Sequence, residues 1–411
     1  MNSDQQKAVE IVLDKHQNVL ITGGAGCGKS YTIKCLYKEC MKRGISIALT
    51  STTGVSAMLI EGITIHSFLG LGIGDFSDKM IIDKCLTNKR LFNNWTKTQV
   101  LVIDELSMLE PSLFKQIIRV KNAMKASFLI FGSADFFQLP AINSRVPDID
   151  FVFELAEFKS MFQNVVVLTA TYRQTDPELI SMLGRCRTGT PNESDISIIK
   201  SMENNPESIT KMFSKNADVD KINKSKLDAL PDPLVIFKPK IDVFCRDAKR
   251  KALLEESYAK NNVPVYLKKG AVVMLTKNIY EDDEDSKHLI LCNGSQGVVV
   301  EINEYPRVKF LNGLTRTIFP DVFKTKGDEF TVEVTMIPLI LAWSVTIHKT
   351  QGATLDSFEV DLGKSIFAPG QAYVALSRCK TKTGIRVINF SDPGIIKAHP
   401  KVVKFYESLK L

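Results

Sequence analysis

The stretch Gly23-Gly24-Ala25-Gly26-Cys27-Gly28-Lys29-Ser30 decides the fold of this chain. It fits the pattern G-x-x-x-x-G-K-[ST], follows an apolar run at 18–22 that predicts a buried strand, and opens a predicted helix at about 29–42. In that setting the glycines let backbone N–H groups surround phosphates, and the helix N-terminus adds positive potential. The pattern predicts a phosphate-binding loop, with nucleotide contacts from Gly24, Ala25, Gly26, Cys27, Gly28, Lys29 and Ser30.

A second apolar run, at 100–103, ends in the adjacent carboxylates Asp104 and Glu105. Parallel strands present polar groups at their carboxyl ends, so we expect both side chains beside the phosphate loop. Lys29 is expected to reach the β- and γ-phosphates, and Ser30 and Asp104 to hold Mg²⁺. Glu105 is expected to orient or deprotonate the attacking water. These motifs predict a nucleoside triphosphatase, and a nucleotide kinase, a GTPase or a clamp loader fits them equally.

Further apolar runs alternate with helical stretches, which is typical of an α/β fold with a parallel sheet. The additional expected strands are 45–50, 128–131 and 165–168. A polar segment at 188–232 predicts a surface helix-loop region that joins two halves. A strand at 234–237 and an amphipathic helix at 248–260 are expected to follow.

The segment 268–335 has a different pattern, with five short strand-like runs and the turn signals Asn293-Gly294 and Asn312-Gly313. Such a series of short strands predicts a small β-barrel inserted into the second half. The runs are 271–276, 289–292, 297–302, 307–311 and 315–319. A buried α/β pattern returns at 337–347.

Composition sets weaker limits on function. A net charge of +7 favours an anionic partner such as nucleic acid about as much as a merely solvated basic surface. The eight cysteines form no C-x-x-C pair and have no histidine at ligand spacing, so neither a zinc nor an iron–sulfur site is expected. With no apolar leader or membrane-length run, we expect an intracellular chain with reduced cysteines and no membrane partner. Nucleus, cytoplasm and a viral replication site remain open.

Three longer stretches carry a resemblance to a known family. They are 134–140 (ADFFQLP), 343–355 (WSVTIHKTQGATL) and 370–378 (GQAYVALSR), with supporting matches at 53–54, 64–68, 104–108 and 172–174. In this order the chain resembles superfamily 1 DNA helicases of the PIF (petite integration frequency) group, which is related to RecD and Dda. The matches run from Gln5 to Arg378. Departures from the family pattern are Ala134, Ala141, Ser51 and Ser56.

The resemblance implies two RecA-like P-loop domains in tandem, with the small β-barrel inserted in the second. The first domain is expected at 1–170, with a short insertion at about 69–97. The second is expected at 171–267 and 336–411, and the inserted barrel at 268–335. The insertion contains Phe92 and Trp95, which fit either a strand-separating wedge or a small core of their own, and the small core is favoured.

The family also implies roles for individual residues. Arg173 and Arg378 correspond to arginines that stabilise charge on the γ-phosphoryl group when the two domains close. Gln138 corresponds to the γ-phosphate sensor, Gln5 to the adenine-reading glutamine, and Gly352 to a further nucleotide contact. The implied DNA contacts are Thr53, Thr64, His66 and Phe68 in the first domain and Thr346, His348 and Lys349 in the second. From their apolar surroundings alone, His66 and His348 also fit satisfied core histidines.

The function implied is an ATP-dependent DNA helicase that moves 5′ to 3′ on single-stranded DNA and opens forked or tailed duplexes. We expect a monomer, with a subunit of a larger complex as the alternative. Two alternative hypotheses are an RNA helicase and a nucleic-acid-stimulated ATPase that strips bound proteins without separating strands. An inactive binding module is disfavoured, because a pure binder needs none of Lys29, Asp104, Glu105 and Arg378.

Overall fold

A computed structural model describes residues 1–409 except 72–76, 141–149, 207, 209, 215, 284–285, 327–329, 348–349 and 364–365. The chain forms two compact units. The first unit comprises Met1–Arg173, Arg187–Gly189 and Lys397–Leu411, and the second comprises Gln174–Cys186 and Thr190–Ile396. The first unit therefore includes a C-terminal segment that the sequence placed in the second domain.

The first unit contains a six-stranded parallel sheet in the order β3-β2-β4-β5-β1-β6. Its strands are β1 Val19–Gly23, β2 Ile47–Ser51, β3 Ile63–Thr64, β4 Val100–Asp104, β5 Leu129–Ala134 and β6 Asn164–Leu168. The strands expected at 18–22, 45–50, 100–103, 128–131 and 165–168 are present. The short edge strand β3 was not expected.

Among the described residues before β6, eight helices accompany this sheet. They are α1 Ser3–Leu13, α2 Lys29–Lys42, α3 Gly54–Leu59, α4 Ile65–Leu69, α5 Asp78–Thr87, α6 Lys89–Thr96, α7 Pro111–Ala123 and α8 Ala156–Met161. Local sequence explains several helix starts, since Asn2 and Gln5 form a reciprocal capping box and Pro111 occupies the first turn of α7.

Alternate residues of β4 show that both faces of the sheet are covered. Leu101 and Ile103 belong to one buried apolar cluster, whereas Val100 and Val102 belong to another. Side chains alternate across a strand, so the two clusters lie on opposite faces. A strand that is buried on both faces has a continuous apolar sequence, which explains why the strand residues before Asp104 are all apolar.

In the described part of the insertion at about 69–97, helices α5 and α6 pack into the main core of the first unit. Trp95 is fully buried, donates from its indole Nε1 to the carbonyl oxygen of Leu69 at 3.1 Å, and lies 6.0 Å from Phe128. The expectation of a separate small core is therefore corrected, because Trp95 joins the unit's principal cluster. Phe92 is exposed.

The second unit contains a smaller parallel sheet in the order β20-β7-β21-β22. Its strands are β7 Lys211–Phe213, β20 Ser344–Thr346, β21 Phe358–Asp361 and β22 Ile385–Ile388. Its helices are α9 Pro177–Thr188, whose last two residues belong to the first unit, α10 Glu193–Ser201, α11 Asn216–Asp228, α12 Ala248–Asn261 and α13 Gln371–Leu376. The segment 188–232 is thus more than a surface linker, since β7 lies inside the sheet.

Antiparallel strands fill most of the region between β7 and β20. They are β8 Val235–Phe237, β9 Lys240–Cys245, β10 Val265–Leu267, β11 Val272–Leu275, β12 Ile279–Asp283, β13 Ser286–Leu291, β14 Gln296–Ile302, β15 Pro306–Phe310, β16 Thr315–Thr317, β17 Asp321–Lys326, β18 Phe330–Met336 and β19 Leu339–Leu341. One sheet has the order β16-β15-β14-β11-β19, and β17-β18-β9, β10-β8 and β12-β13 form the others.

The β-rich region is longer than the expected insertion at 268–335. Strand β9 pairs along β18, with Lys240 opposite Thr335 and Cys245 opposite Phe330. The strand expected at 234–237 is present as β8, which pairs antiparallel with β10 and lies outside the parallel sheet. The β-structure therefore begins near Val235, within the segment assigned to the second α/β domain.

The chain ends in helix α14, Pro400–Ser408, which packs on the first unit. Phe405 stacks on Phe153 at 4.4 Å between ring centroids, and Tyr406 stacks on Phe137 at 4.5 Å. The assignment of all of 336–411 to the second domain is corrected by these contacts. Within the described residues, no helix has the length and apolarity needed to cross a membrane.

Candidate active site

The phosphate loop leads from β1 into α2 as expected, and close approach explains two of its glycines. Gly26 and Gly28 have φ of +79° and +86°, a region that favours glycine. A Cβ on Gly26 would lie 2.5 Å from the Cβ of Arg173, and a Cβ on Gly28 would lie 2.7 Å from Nε2 of Gln5. Glycine is therefore required at both positions, because the backbone has a positive φ and because neighbouring residues leave no room for a Cβ.

Lys29 lies inside the curve of its own loop. Its Nζ donates to the carbonyl oxygens of Gly23 at 2.9 Å and Gly24 at 3.1 Å. Burial alone would lower the pKa of Lys29, but electrostatic interactions with Cys27, Asp135 and Glu105 raise it above the ordinary value. The amine is therefore a fixed positive charge at the place where the loop would receive phosphates.

The two carboxylates after β4 differ in their surroundings. Asp104 is buried, and its Oδ1 accepts a hydrogen bond from the backbone N–H of Glu105 at 2.9 Å. Burial raises the pKa of Asp104, although hydrogen bonds and the charge of Lys29 oppose that change. Glu105 has a φ of +51°, which turns the chain sharply at the strand end, and its carbonyl accepts from the hydroxyl of Thr52.

Gln5 and Tyr172 both lie close to Gly28 of the phosphate loop. Gln5 is buried, and its Oε1 accepts from the backbone N–H of Asn2, whereas its Nε2 has no partner among the residues that the structure describes. Tyr172 donates its backbone N–H to the carbonyl oxygen of Gly26 at 2.8 Å, and the residue is 60% exposed. Sequence analysis gave Tyr172 no role, although its place beside Arg173 was the available signal.

Arg173 lies against the phosphate loop within the first unit, next to Gly26. The sequence assigned it to the second domain, so that assignment is corrected. The next residue, Gln174, belongs to the second unit, where its Nε2 donates to the carbonyl oxygens of Ser377 at 3.3 Å and Cys379 at 2.8 Å. The change between units therefore falls inside the motif 172–174.

Gln138 is held by Asp135, a residue to which sequence analysis gave no role. Nε2 of Gln138 donates to Oδ2 of Asp135 at 2.9 Å, and its backbone N–H donates to the Asp135 carbonyl at 3.0 Å. Arg187 donates from Nε and Nη2 to Oδ1 of the same carboxylate, at 3.1 and 2.8 Å. Burial would raise the pKa of Asp135, but Arg187, Lys29 and Gln138 hold it below its ordinary value.

Arg378 is the predicted residue of the second unit with the most fully described surroundings. This arginine is buried and donates to the carbonyl oxygens of Val374 at 2.8 Å and Thr350 at 3.3 Å, and to the Ser377 hydroxyl at 2.7 Å. Thr346 is buried at the end of β20, and Gly352 has a φ of +81°. The predicted DNA contacts His348 and Lys349 lie outside the described residues.

The predicted DNA contacts of the first unit follow β2 and β3. Thr53 and Thr64 each begin a short helix, accepting hydrogen bonds from the backbone N–H groups of Ser56 and Ser67. His66 is half-buried, and burial lowers its pKa, so it is neutral at physiological pH. Phe68 is half-buried and packs against the main core. The structure thus shows a structural use for these residues, and their roles on DNA remain predictions.

The loop, the acidic strand end and the parallel sheet define a P-loop nucleotide-binding protein. Residues 1–183 match the family model described as PIF1-like helicase. The chain is 34% identical to the ATP-dependent DNA helicase PIF1 of Mus musculus, over 99% of this chain and 63% of the mouse protein. It thus spans less than two thirds of that relative's length.

Solved structures agree with this match. The crystal structure of Pif1 helicase from Candida albicans has a TM-score of 0.77 and 30% identity, covering 100% of this chain and 99% of that one. A Bacteroides sp Pif1 structure in complex with ADP-AlF4 has a TM-score of 0.78 and 26% identity, covering 100% and 97%. The chain belongs to the PIF1-like helicase family, which confirms the resemblance seen in the sequence.

Proposed function

We propose that the chain is an ATP-dependent DNA helicase that moves 5′ to 3′ on single-stranded DNA and opens forked or tailed duplexes. The observation that carries this proposal is a phosphate loop with Lys29, Asp104, Glu105 and Gln138 in a chain that aligns with helicases over nearly its whole length. A binding module would not need this hydrolytic set.

The residues present fit ATP and Mg²⁺. Gly26 and Gly28 form a cradle that a Cβ would fill, and the buried Nε2 of Gln5 lacks an acceptor among the described residues, as an adenine reader would. The carboxylate of Asp104 and the hydroxyl of Ser30 are the hard oxygen ligands that Mg²⁺ prefers. When bound, Mg²⁺ neutralises charge that develops on the phosphates.

Each catalytic side chain then has a defined task. Lys29 supplies fixed positive charge at the phosphates, and Glu105 orients or deprotonates water. Gln138, held by Asp135, senses the γ-phosphate. Arg173 and Arg378 stabilise charge on the γ-phosphoryl group, an assignment that rests on the family motif.

The finer architecture is also proposed. The sheet β20-β7-β21-β22 would be the core of a second RecA-like domain, and the sheet β16-β15-β14-β11-β19 with its neighbours a small β-barrel inserted into it. What supports this is the return of the parallel strands β20, β21 and β22 after a long antiparallel region.

The DNA partner is proposed from relatives. Bacteroides Pif1 has been crystallised bound to single-stranded DNA, and another structure describes unwinding at forked double-stranded DNA by two coordinating Pif1 helicases. We propose the same two DNA classes for this chain, acting as a monomer or as part of a larger complex. Thr53, Thr64, His66, Phe68, Thr346, His348 and Lys349 are the proposed contacts.

The test is strand displacement by the purified chain on duplexes with either a 5′ or a 3′ single-stranded tail, with ATP and Mg²⁺. Opening of the 5′-tailed duplex alone, lost in Lys29→Ala, is the expected result. DNA-stimulated ATP turnover without opening of either duplex would contradict the helicase proposal and favour the protein-stripping ATPase. Equal opening of RNA duplexes would favour the RNA helicase.

A further inference from the structure

Arg187 makes an elaborate set of contacts at a position to which no role has been assigned. It donates two hydrogen bonds to one oxygen of Asp135, which is fully buried. The guanidinium also lies over two rings, 4.6 Å from the centroid of Phe137 and 5.1 Å from that of Tyr406. Paired rings and a buried carboxylate together fix the plane of the guanidinium.

Through Asp135, this arginine is connected to the predicted γ-phosphate sensor. The second oxygen of Asp135 accepts from Nε2 of Gln138 at 2.9 Å. An ionised aspartate accepts hydrogen bonds but donates none, so it selects one orientation of the Gln138 amide. Loss of the Arg187 charge would leave a buried carboxylate short of its main cation and free to protonate.

Tyr406, from the C-terminal helix, connects the same cluster to the phosphate loop. Its hydroxyl lies 2.5 Å from that of Thr22, the residue before Gly23, and accepts from the backbone N–H of Phe136 at 3.3 Å. Burial raises the pKa of Tyr406 to about 12, so the hydroxyl stays neutral at physiological pH. One side chain thus joins β1 to the loop that carries Asp135 and Gln138.

We propose that Arg187 and Tyr406 are positioning residues for ATP hydrolysis, which hold Asp135 and thereby Gln138 against the γ-phosphate. The C-terminal helix then contributes to ATP hydrolysis through Tyr406, in addition to packing on the core of the first unit. The inference rests on the proposed function, because it requires that the chain hydrolyses ATP.

A second arginine on α9 provides a matched control. Arg185 donates from Nε and Nη2 to the buried carboxylate of Asp195 at 2.6 and 2.7 Å. That carboxylate also accepts from the backbone N–H of Asn192 at the start of α10. This pair matches Arg187 and Asp135 in chemistry and burial of the acid, but it stabilises a helix start and has no role in the proposed hydrolysis.

The experiment compares Arg187→Met with Arg185→Met in the full chain, measuring ATPase kcat and KM with single-stranded DNA, and Tm. We expect Arg187→Met to lower kcat by about tenfold to 100-fold, with the KM for ATP changed by less than about threefold. Arg185→Met should lower Tm to a similar degree and leave kcat near the wild-type value. Equal kcat in both variants would overturn the proposal, because Arg187 would then be structural.

The pH profile gives a readout that a structural role would not move. Without Arg187 the pKa of Asp135 rises, so kcat should begin to fall at a higher pH on the acid side than in the wild type. Arg185→Met should keep the wild-type acid limb. An unshifted limb in Arg187→Met would also count against the proposal.

Tyr406→Phe keeps the ring and removes one oxygen, so it tests the proposal even where Arg187→Met folds poorly. We expect kcat to fall about threefold to tenfold. Tm should fall by less than in Arg187→Met, because only the Thr22 hydroxyl and the Phe136 N–H lose a partner. A wild-type kcat in Tyr406→Phe would remove Tyr406 from the positioning role. A wild-type chain without ATPase activity, equal to Lys29→Ala, would instead refute the proposed function and this inference together.

Discussion

The two parallel sheets of this protein are stabilised in different ways. The first has six strands, and β1 and β4 are buried along their whole length between two apolar clusters. The second has four strands of three or four residues. These short strands also bury apolar side chains, Val345, Phe358 and Val360 among them. Buried amide side chains add connections to the neighbouring backbone, of which Gln174, Asn223 and Gln296 are examples.

This difference determines how each unit presents its polar residues. In the first unit, apolar strands hold Asp104 and Asp135 at their ends, and a turn of glycines holds Lys29. In the second, Gln174 hydrogen-bonds to the backbone on either side of Arg378, and Gln296 hydrogen-bonds to the backbone of Asp356 and Ser357. The position of Arg378 in the second unit should therefore be more sensitive to single polar substitutions than the positions of Lys29 and Asp104 in the first.

The largest effect is expected for Arg378→Ala. If this arginine stabilises charge on the γ-phosphoryl group, DNA-stimulated kcat should fall by about 10³-fold or more. Arg378→Lys should recover little, since an ammonium cannot replace the planar fork. The measurement is ATPase activity on single-stranded DNA, with circular dichroism to verify folding. A folded Arg378→Ala variant with kcat within tenfold of the wild type would contradict the assignment.

In the first unit, the strongest effect on stability is expected for Trp95→Ala. Removing this fully buried ring, and the donor to the Leu69 carbonyl, should lower the free energy of unfolding by about 3–5 kcal/mol. Urea unfolding measures it. The exposed Phe92 is the matched control, because Phe92→Ala should change stability by less than about 0.5 kcal/mol.

The same pair of variants decides the role of the insertion. A core role predicts that Phe92→Ala unwinds tailed duplexes at the wild-type rate. Slower unwinding by Phe92→Ala, with unchanged ATPase activity and stability, would instead indicate a strand-separating wedge.

Gln296→Ala tests the polar connections of the second unit. The Gln296 amide accepts from the backbone N–H groups of Asp356 and Ser357 at 3.0 Å and donates to the Ser357 carbonyl at 2.7 Å. Leaving these buried groups unpaired should cost about 1–3 kcal/mol, measured by urea unfolding. Faster hydrogen exchange near 354–357 should accompany this loss. Unchanged exchange there would show that the amide does not hold the segment.

Sequence patterns predicted the first sheet well because its strands are continuous apolar runs. Strand β7 was missed because it has three residues, lies in a polar segment, and pairs with residues more than a hundred positions later. Strands of three residues are too short to show a pattern of alternating apolar and polar residues. The start of the β-rich region was predicted too late for a similar reason, since β9 pairs with β18, which lies far along the chain.

The candidate site shows the same limit. Lys29, Asp104 and Gln138 follow from motifs, because their chemistry depends on local spacing. Arg187 could not be found in this way, since its partner Asp135 lies 52 residues away and only the fold brings them together. Tyr406 is separated from Thr22 by 384 residues, which no local pattern bridges.

The smallest effect, and the one of opposite sign, is expected for the stability of Asp104→Asn. Burial raises the pKa of Asp104, so above that pKa the folded protein holds a costly buried charge. Asparagine can still accept from the backbone N–H of Glu105. The variant should therefore lose ATPase activity and yet gain about 0.5–2 kcal/mol in the free energy of unfolding at pH 7.

The pH dependence of this gain tests its cause. It should shrink as the pH falls through the raised pKa of Asp104, because the wild-type carboxyl group then becomes neutral too. Thermal unfolding of both proteins, from neutral pH down to the lowest pH at which both are folded, measures this change. A gain that does not change with pH would show that packing, and not the buried charge, is responsible. A loss of stability at pH 7 would mean that the attraction of Asp104 to Lys29 outweighs the cost of desolvating Asp104. The polar residues of the first unit would then stabilise it, as the buried amides do in the second unit.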